Sequence, residues 1–501
     1  MSESSYGRIL RTSTIMGMVS VSNIFFGLLK MKAVALLLGP GGIGLVGLYQ
    51  SLVQTGAQIA TLGLGTVGTR QIAAAAADPE GDSVGSMRRV LFFAALGLSI
   101  VGGLFFIAAS APIAVYILQM PDRWRDVAWL SLGVALTVFT ASQISVLTGL
   151  RRIGDVARVQ VASGAAGLVF GIFAIWLWKE QGLLAVVLAG PLATVIVGYI
   201  YIRRLGPVRG PKPSITHVFG EWRALASLGI PIMLSGVVMA AGNLTARTLI
   251  QRELGVDQLG QFQAAWSIGM TYLAFVLGAM ASDYFPRLSA VINDRETASR
   301  LVNEQTEVAL ILCGPILLAT LSMAPWVVTL LYSADFGPAA EVLRWQVLGD
   351  ILKVMSWPLG FVLLASGAGR AFIISETIGM GAFIATIALA MPFLGITATG
   401  VAFLVLYVVY LPIVWVFAHG RIGIRWSPAV RMQGVLLLSL AVLVYALVHY
   451  SPFWGGVGGI VISAGFAGVG LLQLVLHAPH GGMVGAVIKR MSWAHKRKTA
   501  K

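Results

Sequence analysis

Four residues able to do chemistry share one helical face in a stretch that is otherwise apolar. Gln346, Asp350, Lys353 and Trp357 recur at i, i+4, i+7 and i+11 along Arg344-Trp345-Gln346-Val347-Leu348-Gly349-Asp350-Ile351-Leu352-Lys353 and its continuation. Asp350 stands about ten residues into the run, which at ~1.5 Å per residue places it near the middle of a bilayer. A charge at that depth costs from ~3 to above 10 kcal/mol unless it faces a cavity or a partner. Two chemical uses are open: a cation or proton relay through Asp350, or a sugar-binding wall that uses Trp345 and Gln346. A structural use stands beside them, an Asp350–Lys353 pair that locks the helix to its neighbours.

The other intramembrane charges are few. Lys30 and Lys32 fall near the outer end of the first apolar run, and Arg247 near the outer end of the seventh. The matched placement of Lys32 and Arg247 points to an anionic ligand such as a phosphate or diphosphate, facing them across a cleft. Lys30 fits better as a cation that snorkels to the headgroups. Asp283 begins Asp283-Tyr284-Phe285-Pro286-Arg287, where the proline is expected to end a helix. Asp283 and Arg287 then form either an inner gate or an interfacial cap. Glu376 is expected at the interface, and Glu304 and Glu307 at a helix N-terminus, where the dipole favours carboxylates.

The elements that must position these residues are membrane spans. The chain has 501 residues, 57% hydrophobic and only 11% charged, where soluble domains carry about 25% charged residues. Apolar runs at roughly 12–37, 43–67, 90–118, 127–149, 159–178, 183–202, 225–250, 261–283, 304–332, 341–366, 371–391, 396–418, 432–449 and 456–476 approach the ~20 residues needed to cross a bilayer. Most of the 35 Lys and Arg residues lie in one alternate set of loops and at the two ends, while the other set holds only Arg123, Arg125, Lys179 and Arg252. This is the positive-inside pattern, with both termini in the cytoplasm. The expected fold is an all-α integral membrane protein of about 14 transmembrane helices, since long apolar runs satisfy their own backbone and a barrel would alternate. The N-terminal stretch up to Arg11 is read as uncleaved.

Several function classes are disfavoured. Gly39-Pro40-Gly41-Gly42-Ile43-Gly44 lacks the lysine of a phosphate-binding loop and reads as a helix-turn-helix connection. The histidines show no metal spacing, Cys313 is the only cysteine, and no cofactor is expected. The basic residues are scattered rather than gathered on a soluble domain, which argues against nucleic acid. The outer loops are short and hold only scattered carboxylates, which disfavours an enzyme such as a polysaccharide polymerase or ligase.

The loop from Arg203 to Arg223, rich in Gly and Pro, separates six spans from eight. Leu38-Gly39 with Ile43-Gly44 resembles Leu254-Gly255 with Leu259-Gly260, each pair following a basic residue, Lys32 or Arg247. Repeated halves around a midplane site are a transporter habit. The expected organisation is an N-lobe at 1–205, a linker at 206–223, a C-lobe at 224–420, and two further spans with a basic tail at 421–501.

Three motifs together resemble those of the Wzx-type O-antigen and enterobacterial-common-antigen lipid flippases, in the multidrug/oligosaccharidyl-lipid/polysaccharide exporter superfamily. They are Phe336 to Lys353 with its Trp345-Gln346 and Gly349-Asp350; Lys32 with Leu38-Gly39-Pro40 and Gly42-Ile43-Gly44-Leu45; and Asp283-Tyr284 with Pro286-Arg287-Leu288. The resemblance covers roughly residues 8–420. It implies two six-helix lobes around a central cleft, alternating access, and transfer of an undecaprenyl-diphosphate-linked oligosaccharide to the outer leaflet of the bacterial inner membrane. On that reading Lys32 and Arg247, with Lys30, Arg344 and Lys353, draw in the diphosphate. Gln50, Asn243, Trp266, Trp345 and Gln346 line the glycan path, and Asp350, Asp283 and Arg287 couple or gate. A proton or sodium gradient and contact with polysaccharide polymerase and chain-length machinery are the expected partners. The pair of spans beyond residue 430 departs from twelve-span relatives and resembles peptidoglycan-precursor flippases. A cation-coupled drug exporter of the same fold remains an alternative, but the first six spans hold no carboxylate.

Overall fold

The computed structural model describes residues 5–77, 82–206 and 215–477. Among them the regular structure is entirely helical. Fourteen helices follow in chain order: α1 (Ser5–Ala60), α2 (Leu64–Ala76), α3 (Asp82–Ala108), α4 (Trp124–Gly149), α5 (Ile153–Trp178), α6 (Leu183–Arg203), α7 (Ile215–Leu254), α8 (Val256–Val291), α9 (Arg295–Leu331), α10 (Gly337–Ala365), α11 (Gly369–Leu394), α12 (Thr397–Ile422), α13 (Pro428–Tyr450) and α14 (Pro452–His477). Short turns of tighter or wider helix fill 110–117, 121–123, 179–182 and 334–336.

Eleven of the described helical runs are long and apolar enough to cross a membrane. Two of these, 46 and 51 residues long, would extend about 70 Å or more if straight, over twice the ~30 Å hydrocarbon core. The chain breaks both. Gly39 (φ 64°, ψ −162°) divides α1, and Lys179 (φ 50°) starts the turn between α5 and α6. The stretch 39–44 is therefore a one-residue break and not the loop expected from its glycines. Glycine tolerates the positive φ, and Pro40 opens the next helix, where its missing N–H is unneeded. Pro286 likewise does not end its helix, because α8 continues to Val291. A proline inside a membrane helix is tolerated where neighbours re-satisfy the freed carbonyl. At the other boundary, α7 begins at Ile215, so residues 215–223 are helical.

Contacts divide the chain into two units: residues 1–271, 328–342 and 380–402 form one, and 272–327, 343–379 and 403–501 the other. The division runs through α8 to α12.

In the first unit the second half of α1 lies close against the start of α8, its glycines facing α8 backbone and side chains directly. A Cβ on Gly44 would collide with the Val256 carbonyl, one on Gly260 with the Pro40 carbonyl, and one on Gly47 would come within 2.5 Å of the Gln263 amide. Arg123 meets Glu180 at 2.7 Å and Asp126 at 3.5 Å, and Tyr49 donates to Asp126 at 2.8 Å. These bonds tie the turn before α4 to the turn before α6. In the second unit α14 packs on α9 through glycines, with Gly314 beneath Phe466 and Gly470 beneath Ile311. Small residues give membrane helices the close approach that replaces a hydrophobic drive. Gln433 donates to Gln473 (2.9 Å) and Glu307 (3.4 Å), holding α13, α14 and α9 together.

Candidate functional site

Two membrane-buried polar clusters stand out, one in each unit.

In the second unit Asp350 is wholly buried. Tyr272 of α8 donates its hydroxyl to Asp350 Oδ2 at 2.6 Å, and Lys353 Nζ lies 3.8 Å from Oδ1. The helix carrying them can approach α12 because Gly349 has no side chain; a Cβ there would sit 2.7 Å from the Phe403 ring. The Lys353 ammonium extends past α12, 5.6 Å from the Phe403 ring centre and 5.9 Å from that of Tyr407. Such cation–π contacts hold a cation without neutralising it. Beyond it opens a cavity of about 230 Å³ lined by Lys353, Ser356, Trp357, Glu376, Tyr407 and Tyr410, among others. Glu376 accepts the Tyr410 hydroxyl at 2.9 Å. The cavity thus presents one cation and one carboxylate between aromatic walls, with a second carboxylate behind the cation.

In the first unit Arg247 of α7 is 6% exposed. Its Nε donates to Gln263 Oε1 at 3.1 Å, and Nη1 to the Asn243 carbonyl at 3.2 Å. The guanidinium lies 5.6 Å from the Phe262 ring centre and 5.8 Å from that of Trp266. All these partners are neutral: among the described residues Arg247 has no carboxylate partner. Gln263 is held in turn by its own bond to Ser267 at 3.0 Å.

The sequence-derived candidates distribute as follows. Arg247, Asn243 and Trp266 come together in the first unit, and Asp350 and Lys353 in the second. Lys32 donates to the Thr329 carbonyl at 3.1 Å, in the last turn of α9, where a cation suits the orphan carbonyls. Lys30 packs its stem near Gly171 of α5. Gln50 is half-buried on α1. Trp345 stacks against Tyr445 of α13, its ring centre 5.5 Å away. Gln346 is buried with neither amide atom hydrogen-bonded. Arg344, half-buried on α10, does not line the Lys353 cavity. Asp283 and Arg287 pair at 3.1 Å on one exposed helix face, with side chains 73% and 57% accessible, a geometry worth little in stability. Gln261 bonds the Asp335 carbonyl and the Ala339 N–H, serving the start of α10.

Sequence reasoning missed Tyr272, Tyr407 and Tyr410 around Lys353, and Gln263 beside Arg247, and it set Glu376 at the interface, where the structure places it on the Lys353 cavity. The signal available was the pair Tyr407 and Tyr410, one turn apart in an apolar span.

Helices of this length and apolarity mark a multi-pass membrane protein, and comparison with known proteins places its family. A family model described as polysaccharide biosynthesis protein matches residues 33–341, more than half of the chain, and the chain belongs to that family. The lipid III flippase of Escherichia coli (strain K12) is 24% identical over 392 residues, spanning 77% of this chain and 92% of that protein. A structure of the lipid II flippase MurJ in an inward closed conformation superposes with a TM-score of 0.67 at 12% identity, over 93% of this chain and all of that one. An inward-facing multidrug resistance MATE transporter of the MOP superfamily gives 0.65 at 17% identity, over 81% and 98%. The fold is thus MATE- and MurJ-like.

Proposed function

We propose that the protein is a flippase that moves a polyprenyl-diphosphate-linked oligosaccharide from the inner to the outer leaflet of a bacterial inner membrane by alternating access between two lobes. The observation that carries this reading is Arg247: a buried guanidinium whose bonds all go to neutral groups. A cation desolvated within a membrane protein calls for an anion, and the forked guanidinium suits a diphosphate. Lys32, at the end of α9, is a second cation of the same unit; Lys353, held between a carboxylate and aromatic rings, is the buried cation of the other. Family membership and the relation to a lipid III flippase support a lipid-linked glycan as cargo. An O-antigen or exopolysaccharide repeat unit is the form of it favoured by the motifs, with both termini cytoplasmic as the basic loops indicate. Asp350 and Glu376 are the carboxylates available to couple transfer to a proton or sodium gradient.

The test is leaflet transfer in proteoliposomes of a fluorescent polyprenyl diphosphate bearing a neutral trisaccharide. Wild type moves the lipid, Arg247→Lys slows it several-fold by losing the fork, and Arg247→Gln abolishes it while the protein stays folded. Wild-type transfer matched by Arg247→Gln removes the anion role. Drug efflux by a wild type inert toward the lipid moves the protein to the exporter branch.

A further inference from the structure

A polar-lined pocket lies in the first unit, with Arg247 outside its lining. Four helices of that unit each contribute uncharged polar side chains: Asn23 on α1, Thr137 and Thr140 on α4, Gln160 and Ser163 on α5, and Thr194 on α6. They line one pocket of about 320 Å³, at the small end of ligand sites, which span about 300–1,000 Å³. None of its lining residues is charged. Hydroxyl and amide groups at bilayer depth have no water to satisfy them, so those not bonded within their own helices favour a polar occupant.

The chemistry of the wall is specific. Thr137, Ser163 and Thr194 each donate to the carbonyl four residues earlier, at 2.7, 2.6 and 2.9 Å. Their hydroxyl hydrogens are thereby committed and their lone pairs left as acceptors. Thr140 Oγ1 is buried without a hydrogen-bond partner. Pro191 lines the pocket and has no N–H, so the Val187 carbonyl lacks its helical donor. Helices α5 and α6 cross beside the pocket, where a Cβ on Gly167 would lie 3.3 Å from Gly190 Cα. At Gly190 itself, a lining residue, a Cβ would meet nothing within 4 Å. The wall therefore carries two neutral amides and hydroxyl acceptors set among a larger apolar surface, and no charge. With no cation in its lining it does not suit a diphosphate. It suits a neutral molecule dense in hydroxyl donors.

We infer that this chamber is a carbohydrate subsite, which takes neutral sugar rings of the transported glycan while the diphosphate is held elsewhere. The inference rests on the flippase reading for the identity of the cargo, but the site can be probed apart from transfer. Cys313 is buried and is the only native cysteine, so Gln160→Cys gives one reactive thiol at the pocket wall. The full-length protein in liposomes is labelled with a maleimide, with and without the polyprenyl-diphosphate-linked trisaccharide and with the bare polyprenyl diphosphate. The trisaccharide lipid should slow labelling several-fold and the bare lipid should not. In parallel, Gly190→Leu, whose Cβ meets nothing within 4 Å, occupies the chamber and should slow trisaccharide-lipid transfer about tenfold, the loss expected from one or two hydrogen bonds. Gly190→Ala should stay near wild type. Should Gly190→Leu fail to fold, the double variant Thr137→Val with Thr140→Val keeps the shape, removes the polarity and should slow transfer likewise. Labelling indifferent to the trisaccharide, or slowed equally by the bare lipid, overturns the subsite. Labelling slowed by the trisaccharide in a wild type that transfers nothing keeps the subsite and overturns the flippase reading.

Discussion

The cavity beside Lys353 and the chamber beside Gly190 are both polar spaces inside a membrane protein, yet they are built on opposite principles. Around Lys353 the polar groups carry full charges and are answered locally: Asp350 by Tyr272 and Lys353, Glu376 by Tyr410, the ammonium by two aromatic rings. Around Gly190 nothing is charged, several hydroxyls bond only their own helix, and Thr140 is left without a partner. A charge in low dielectric must be compensated in every state of the protein, whereas a neutral hydroxyl can wait for a ligand at modest cost. Mutations should therefore act mainly on stability in the first region and mainly on function in the second.

The largest expected effect breaks the charged region. Lys353→Met leaves the wholly buried Asp350 without its cation and should destabilise the protein by about 3 kcal/mol, at the low end for a broken buried pair because Lys353 retains some solvent contact. Adding Asp350→Asn should restore most of the lost stability without restoring transfer. Thermal unfolding in detergent, read beside the liposome assay, checks both; a single variant as stable as wild type would erase the contrast. A smaller effect of opposite sign sharpens it. Thr140→Val removes an unbonded buried hydroxyl at nearly constant volume, so stability should stay level or rise by up to about 1 kcal/mol, while glycan-lipid transfer falls. A clear loss of stability would mean that the hydroxyl is structural.

The smallest effect belongs to a carboxylate outside the spans. Asp294 caps α9, accepting the N–H groups of Glu296 and Thr297 and the Thr297 hydroxyl at 2.6 Å. The Thr297 hydroxyl above all holds its pKa below the ordinary aspartate value. A depressed pKa means that the folded state binds its proton less readily than the unfolded chain. The cap's contribution is then complete above the ordinary aspartate range and lost as pH falls through the folded value. Hydrogen exchange in the first turn of α9 should quicken on acidification in wild type and be quick at neutral pH in Asp294→Ala. Equal protection in the two proteins at neutral pH would show that the cap contributes nothing.

The charged region was the more legible of the two in the sequence. Asp350 and Lys353 announce themselves because charges in apolar runs are rare and because a helical face repeats along a line of text. Glu376 was set at the interface because its partners, Tyr410 and Lys353, come from other helices. Lys32 was paired with Arg247 by position along their spans, but the structure ends Lys32 on the Thr329 carbonyl, a backbone partner nearly 300 positions away that no side-chain pattern reports. The chamber could not be read at all. Its threonines and serines are ordinary in membrane helices, and only the crossing at Gly167 and Gly190 gathers them. The spans were legible as apolar runs; the break at Gly39 was overestimated as a loop because three glycines follow it closely, and these serve packing as well as turning.

Those glycines carry one more consequence. Where α1 meets α8 two of the closest contacts are backbone, with Gly44 against the Val256 carbonyl and Gly260 against that of Pro40. At those two points no side chain interlocks, so they can part and re-form with little rearrangement. A methyl group there acts as a wedge, penalising the joined arrangement and leaving any parted one untouched. Two glycines thereby become a handle on the balance between conformations, one that tilts the populations without altering a single ligand-binding group.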